Sequence, residues 1–279
     1  MMSLVKDVPV FYEEYGEGKP ILCIHGYTLD HRMMSGCMEP IFEQTQGYRR
    51  IYLDLPGMGK TPSAKWIKNG DNMLEAIIEF INTIIPNEKF LIAGESYGGY
   101  MTLGLIHKMP DKIDGVLLIC PQLKSWVMQN IEKEKLPKKQ LLWVSEDMPS
   151  EEVNSDIKDF RFYSVIESSE IFNTFKSDIL PGIKLADRDF LYNYYDGAYS
   201  HDFEAGLRIM EFTKPACILT GRQDIGVGYR DAYEMLDRFP RATFAVLDCA
   251  GHNLQIENEP VFTQMIKDWI WRLELKTER

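Results

Sequence analysis

Ser96 lies in Gly94-Glu95-Ser96-Tyr97-Gly98-Gly99, directly after the apolar run Phe90-Leu91-Ile92-Ala93. A serine in G-x-S-x-G between a strand and a helix forms a nucleophile elbow, a turn so sharp that the serine backbone is strained and its hydroxyl is pushed outward. The glycines two positions to either side are needed because a Cβ there would clash where strand and helix cross. A helix starting at Tyr97 would aim its N-terminal N–H groups and the positive end of its dipole at the serine. The chemistry implied is nucleophilic attack. At neutral pH a serine hydroxyl attacks poorly, so it needs a base within hydrogen-bond reach and a carboxylate to orient that base.

Five histidines could serve as the base. His252, in Ala250-Gly251-His252-Asn253, follows the apolar run Ala242 to Leu247 and so sits in a loop at a strand's carboxyl end, the same edge as the elbow. His31 and His107 fall on helical segments and His201 in a long insertion, places that suit packing or surface roles. For the carboxylate, Asp224 in Gly221-Arg222-Gln223-Asp224 comes right after the apolar run Ala216 to Thr220. An acid after the strand ending at Ile119 would compete, but Cys120-Pro121 occupies that place. Asp248 remains a rival, closer to the strand that leads to His252.

These residues need a scaffold. Val8 to Tyr15, Ile21 to Ile24, Ile51 to Leu53, Phe90 to Ala93 and Gly115 to Ile119 are short, β-rich runs ended by turn residues. All but the first lack polar alternation, which predicts strands covered on both faces, as in a parallel sheet. Between them lie helical stripes. One is Leu74, Ile77, Ile78, Ile81, Ile84 and Ile85 with Asp71 placed to cap it; another is Phe262, Ile266, Trp269, Ile270 and Leu273 behind Pro260. The alternation stops at Pro121 and resumes near Ala216. The stretch between carries Phe190, Tyr192, Tyr194, Tyr195, Tyr199 and Phe203, and reads as an insertion over the carboxyl edge of the sheet, where open α/β folds bind ligands.

Together these motifs resemble the α/β-hydrolase fold superfamily over essentially the whole chain. Ser96, Asp224 and His252 follow the family order of nucleophile, acid and histidine. His25-Gly26-Tyr27 stands where the family has its oxyanion-hole loop. Asp54-Leu55-Pro56-Gly57-Met58-Gly59-Lys60-Thr61 is similar to its D-x-P-G-x-G-x-S turn, with Thr61 in place of serine. The resemblance implies an α/β fold: a mostly parallel central sheet flanked by helices, with a helical cap inserted after the sixth strand. Residues 1–121 and 213–279 would form the core and 122–212 the cap. It further implies an oxyanion hole from the backbone N–H groups of Tyr27 and Tyr97, with His25 serving the fold of its loop. Tyr194 and Tyr195 are expected to wall an apolar pocket above Ser96.

Other motifs fail on named residues. A phosphate-binding loop ending at Gly59-Lys60-Thr61 would need glycine at Asp54, and a dinucleotide fingerprint from Gly57 would need glycine at Pro62. Serine at 96 excludes the relatives that use an aspartate nucleophile. No H-E-x-x-H occurs, and neither metal nor cofactor is expected.

The expected reaction is acyl transfer to water, with a small to medium carboxylic ester as substrate. A proline-type aminopeptidase is less favoured, because Tyr97 replaces the tryptophan such enzymes carry, although Asp187, Asp189, Asp196 and Asp202 could hold a free amine. A carbon–carbon bond hydrolase and a non-catalytic ligand receptor also fit the motifs. If His252 is the base, activity should fall in acid with a midpoint within about one unit of 6.5. The net charge of −11 argues against nucleic acid as partner. No run reaches membrane-span length and the N-terminus lacks a signal-peptide core, so a cytoplasmic protein with a small-molecule substrate is expected. The odd number of cysteines, without C-x-x-C, suggests reduced, buried thiols.

Overall fold

The computed structural model describes residues 1–124, 132–150, 156–195 and 210–275. The chain starts with a hairpin of β1 (Met2–Val5) and β2 (Val8–Tyr15), turned through Lys6 at φ 54°. After β3 (Lys19–Ile24) come α1 (His31–Phe42), β4 (Tyr48–Leu53), α2 (Gly70–Ile84), β5 (Phe90–Glu95), α3 (Tyr97–Lys108) and β6 (Ile113–Ile119). The intervening segment holds β7 (Trp143–Val144), α4 (Ile157–Tyr163), β8 (Ile166–Glu167), α5 (Ser169–Asp178), α6 (Leu180–Leu185) and α7 (Arg188–Tyr195). The chain then returns through β9 (Ala216–Gly221), α8 (Arg230–Glu234), β10 (Ala242–Leu247), α9 (Leu254–Glu257) and α10 (Glu259–Glu274).

Eight strands make one sheet in the order β1-β2-β4-β3-β5-β6-β9-β10. From β4 to β10 neighbours run parallel, while β2 is antiparallel to both β1 and β4. Every residue of β5 and β9 is buried, as their uninterrupted apolar sequences require. One core, holding Ile77, Phe80 and Tyr100, covers one face; the other, with Met34, Phe262 and Trp269, covers the opposite face.

Two local expectations change. Asn69, rather than Asp71, caps α2: its side chain accepts from the Asn72 N–H at 2.9 Å, leaving Asp71 in the first turn. β1 had no turn-glycine signal to announce it. Pro260 does stand in the first turn of α10. Cys23, Cys120 and Cys217 are buried, but Cys249 is exposed in the loop after β10.

The intervening segment joins both cores. Phe172, Phe175 and Ile179 enter the core beside α1, whereas Leu191 and Tyr194 enter the other. α5 and α6 pack against α1. Tyr199, Phe203, His201, Asp196 and Asp202 lie outside the described residues. Among the described residues no helix is long and apolar enough to cross a membrane.

Candidate active site

Three strand ends converge. Ser96 follows β5 with φ 49° and ψ −113°, a left-handed conformation that a non-glycine residue holds only under constraint. The constraint is crowding: a Cβ on Gly94 would lie 2.4 Å from the Gly98 carbonyl, and one on Gly98 would lie 2.1 Å from that of Ile24. α3 begins at the next residue, so its N-terminus faces the serine.

His252 follows β10 and Asp224 follows β9. Nε2 of His252 lies 3.0 Å from Ser96 Oγ, and its Nδ1 lies 2.9 Å from Asp224 Oδ2. The other Asp224 oxygen accepts from the N–H groups of Gly226 at 2.7 Å and Val227 at 3.2 Å. Asp224 thus has a fixed orientation, holds the Nδ1–H tautomer and leaves Nε2 toward the serine. The rival Asp248 accepts from Gln223 Nε2 at 2.7 Å, and among the described residues has no bond to His252. Burial alone would lower the His252 pKa, but the bonded Asp224 and the nearby Glu95 and Glu257 carboxylates outweigh it and raise it to about 9.

The loop of His252 is tied down by Glu257. Its Oε2 accepts from the Gly251 N–H at 2.6 Å, while Oε1 accepts from Val165 N–H at 2.6 Å and Ile166 N–H at 3.3 Å. One carboxylate therefore bonds both the histidine loop and the start of β8. The Tyr163 ring covers the imidazole at 5.2 Å between centroids.

Tyr27 lies in the loop after β3, and Tyr97 opens α3. Their side chains face the inserted segment: Tyr27 Oη donates to the Leu191 carbonyl at 2.7 Å, and the Tyr97 and Tyr194 hydroxyls are hydrogen-bonded. His25 is buried, and burial foremost lowers its pKa. The neutral ring donates from Nδ1 to the Gly26 carbonyl at 2.7 Å and accepts at Nε2 from the Leu55 N–H at 3.0 Å. It braces the loop. In the neighbouring turn, Asp54 accepts from the His31 N–H and Nδ1, both at 2.7 Å, and from the Lys60 N–H at 2.8 Å. Thr61 Oγ1 accepts from the Phe11 N–H at 2.8 Å, so threonine supplies the hydroxyl expected of serine there.

Asp30, His31 and Asp54 come close enough together to be considered as metal ligands, as do Cys120, Asp224 and His252. In both groups the imidazole and a carboxylate are hydrogen-bonded to each other, and Arg32 occupies Asp30.

A cavity of about 390 Å³ opens over Ser96 and His252. Tyr27 and Leu29 line it from the core, Phe162, Tyr163, Phe175, Ile179 and Ile183 from α4 to α6, with Lys158 and Asp159 as charged members. Tyr194 and Tyr195 are not among its walls, which corrects the expectation. Tyr194 is 2% exposed and packs against Tyr97 and Phe190. Tyr195 lines an adjacent cavity of about 420 Å³ that shares Tyr27, Thr28 and Ile183 with the first. Along α7, Tyr194 turns into the core against Tyr97, whereas Tyr195, about 100° further round, turns toward the adjacent cavity. Glu95, Glu257, Tyr163 and Phe162 are site residues that motif reading missed.

Comparison with known proteins fits this architecture. Residues 19–162 match the family model described as alpha/beta hydrolase fold. A solved structure of an alpha/beta superfamily hydrolase from Oenococcus oeni aligns over 99% of this chain and 100% of its own, with TM-score 0.88 and 29% identity. A 2-hydroxy-6-oxononadienedioate/2-hydroxy-6-oxononatrienedioate hydrolase of Paraburkholderia phymatum is 23% identical, over 80% of this chain and 77% of its own length. A pimeloyl-(acyl-carrier protein) methyl ester esterase of Legionella pneumophila is 21% identical, over 94% of this chain and 99% of its own.

Proposed function

Since the chain belongs to the α/β-hydrolase fold family, we propose that it is a serine hydrolase that cleaves small to medium carboxylic esters through an acyl-enzyme. The observation that carries this reading is the hydrogen-bonded array Ser96–His252–Asp224 opening into a mostly apolar cavity. In the first step the Ser96 Oγ–H proton passes to His252 Nε2 as Oγ bonds the acyl carbon. The backbone N–H groups of Tyr27 and Tyr97 receive the charge that develops on the carbonyl oxygen. The imidazolium then protonates the departing alcohol, and water repeats the sequence on the acyl-enzyme. Asp224 keeps the imidazole in the productive tautomer. Residues 122–212 act as a cap whose α4 to α6 side chains bound the substrate and exclude water, which strengthens the electrostatics beneath. The cavity volume of about 390 Å³ supports a small molecule as substrate.

A fluorophosphonate should add one label to the native protein and none to Ser96→Ala, read by intact mass. The variant should also lose roughly 10⁴- to 10⁶-fold in kcat on p-nitrophenyl esters. Equal labelling of both proteins would sink the assignment. Carbon–carbon bond cleavage of a diketone is the second reading, supported by the Paraburkholderia relative. A faster turnover of a 2-hydroxy-6-oxo acid than of any ester in the panel would move the conclusion to it.

A further inference from the structure

Glu95 takes no part in the serine–histidine–aspartate array, yet it lies inside the site. It precedes Ser96 at the end of β5 and is 1% exposed. Its Oε1 is 3.4 Å from His252 Nε2, the nitrogen that also faces Ser96 Oγ. Its Oε2 accepts no hydrogen bond among the described residues and packs against Gly26, where a Cβ would fall 2.2 Å away. A side chain at residue 26 would compete with the carboxylate for this space. Burying a carboxylate is costly unless a cation or donors compensate. Among the described residues no lysine or arginine pairs with Glu95; the group within ion-pair distance is His252, once protonated.

We propose that Glu95 is a second carboxylate of the catalytic base, holding His252 Nε2 while that atom carries the proton in transit. The inference rests on the esterase reading. In acylation the Oγ–H bond breaks, Nε2 gains the proton and Oγ bonds the acyl carbon, whose carbonyl electron pair moves to oxygen. The imidazolium then faces Asp224 through Nδ1–H and Glu95 beside Nε2–H. On collapse Nε2 returns the proton to the leaving alkoxide. Glu95 neither gains nor loses one; its charge lowers the energy of the imidazolium between two carboxylates.

The electrostatics agree with this placement. Burial, the largest influence, pushes the Glu95 carboxyl up to about 7; the His252 charge and, to a smaller degree, the Gly26 backbone N–H oppose that rise, and Asp224 adds to it. Because the His252 pKa is raised to about 9, a charged carboxylate meets a charged imidazole between those values. The groups facing His252 are Asp224 after β9, Glu95 from β5, Glu257 from α9 and the Tyr163 phenol from α4, whose pKa burial foremost raises to about 12.

The test is Glu95→Gln, which keeps the shape and removes the charge. Imidazole NMR should place the His252 midpoint roughly one unit or more below that of the native protein. The acid limb of fluorophosphonate labelling should move down with it, while the maximal labelling rate falls by about tenfold. A His252 midpoint unchanged within about 0.2 unit would overturn the proposal, since a packing role alone does not move it. If Glu95→Gln does not fold, Glu95→Asp decides: withdrawing the charge by one methylene should lower the midpoint by a smaller step, and an unmoved midpoint again overturns it. The NMR readout is independent of turnover. A native protein that never labels counts against the esterase reading, and an unmoved midpoint counts against Glu95.

Discussion

His25 and His252 stand on loops at the same edge of the sheet, and both are sheltered from water, yet their basicities move in opposite directions. His25 has backbone partners on both nitrogens, and burial lowers its pKa. His252 has a carboxylate at each nitrogen and is raised to about 9. Burial penalises charge in both places; nearby carboxylates decide whether the penalty wins. One imidazole is held neutral as a brace; the other is made more basic, as the proposed role requires.

The sharpest way to break this contrast is to remove each ring. His252→Ala should keep its melting temperature within a few degrees and lose roughly 10⁴- to 10⁶-fold in kcat. His25→Ala should instead lower stability by about 1–3 kcal/mol in thermal or urea unfolding, because the Leu55 N–H is left buried and unpaired. If both variants lost only activity, the division of roles would be wrong. A smaller effect separates the acids. Asp224→Asn should cut kcat by roughly 10⁴ as the tautomer is no longer fixed, whereas Asp248→Asn, which touches only Gln223 and its own loop, should leave kcat within about threefold.

The gentlest probe is pH. His252 must be neutral to accept the serine proton, so kcat/KM should rise with pH through the imidazole pKa. That limb should centre near 9 rather than near the unperturbed value of about 6.5. A limb centred below 7 would mean that the surrounding carboxylates do not act on the base as their distances imply.

Sterics made the elbow legible in the sequence, because the strand-to-helix turn crowds Gly94 against the Gly98 carbonyl and Gly98 against the neighbouring strand at Ile24, so both positions must be glycine. Asp224 and His252 were legible for a topological reason: parallel strands deliver their following loops to one edge. The pocket was not. The aromatic density in α7 did not reveal its inward face: Tyr192 and Tyr195 are exposed and Tyr194 packs on Tyr97, while Phe162, Phe175 and Ile183 bound the cavity. Glu95 left a trace that motif reading passes over, a charge ending an otherwise apolar strand whose whole length is buried. The extent of the rise in the His252 pKa was out of reach because burial opposes Asp224, and Glu95 and Glu257 add to Asp224, through approaches to the ring that only the folded chain defines.

Glu257 has a mechanical consequence. Its two oxygens hold the Gly251 N–H on one side and those of Val165 and Ile166 on the other. Any movement that lifts β8 must break bonds to the same carboxylate that fixes the histidine loop. Displacing β8 and slackening the histidine loop are therefore coupled through one side chain.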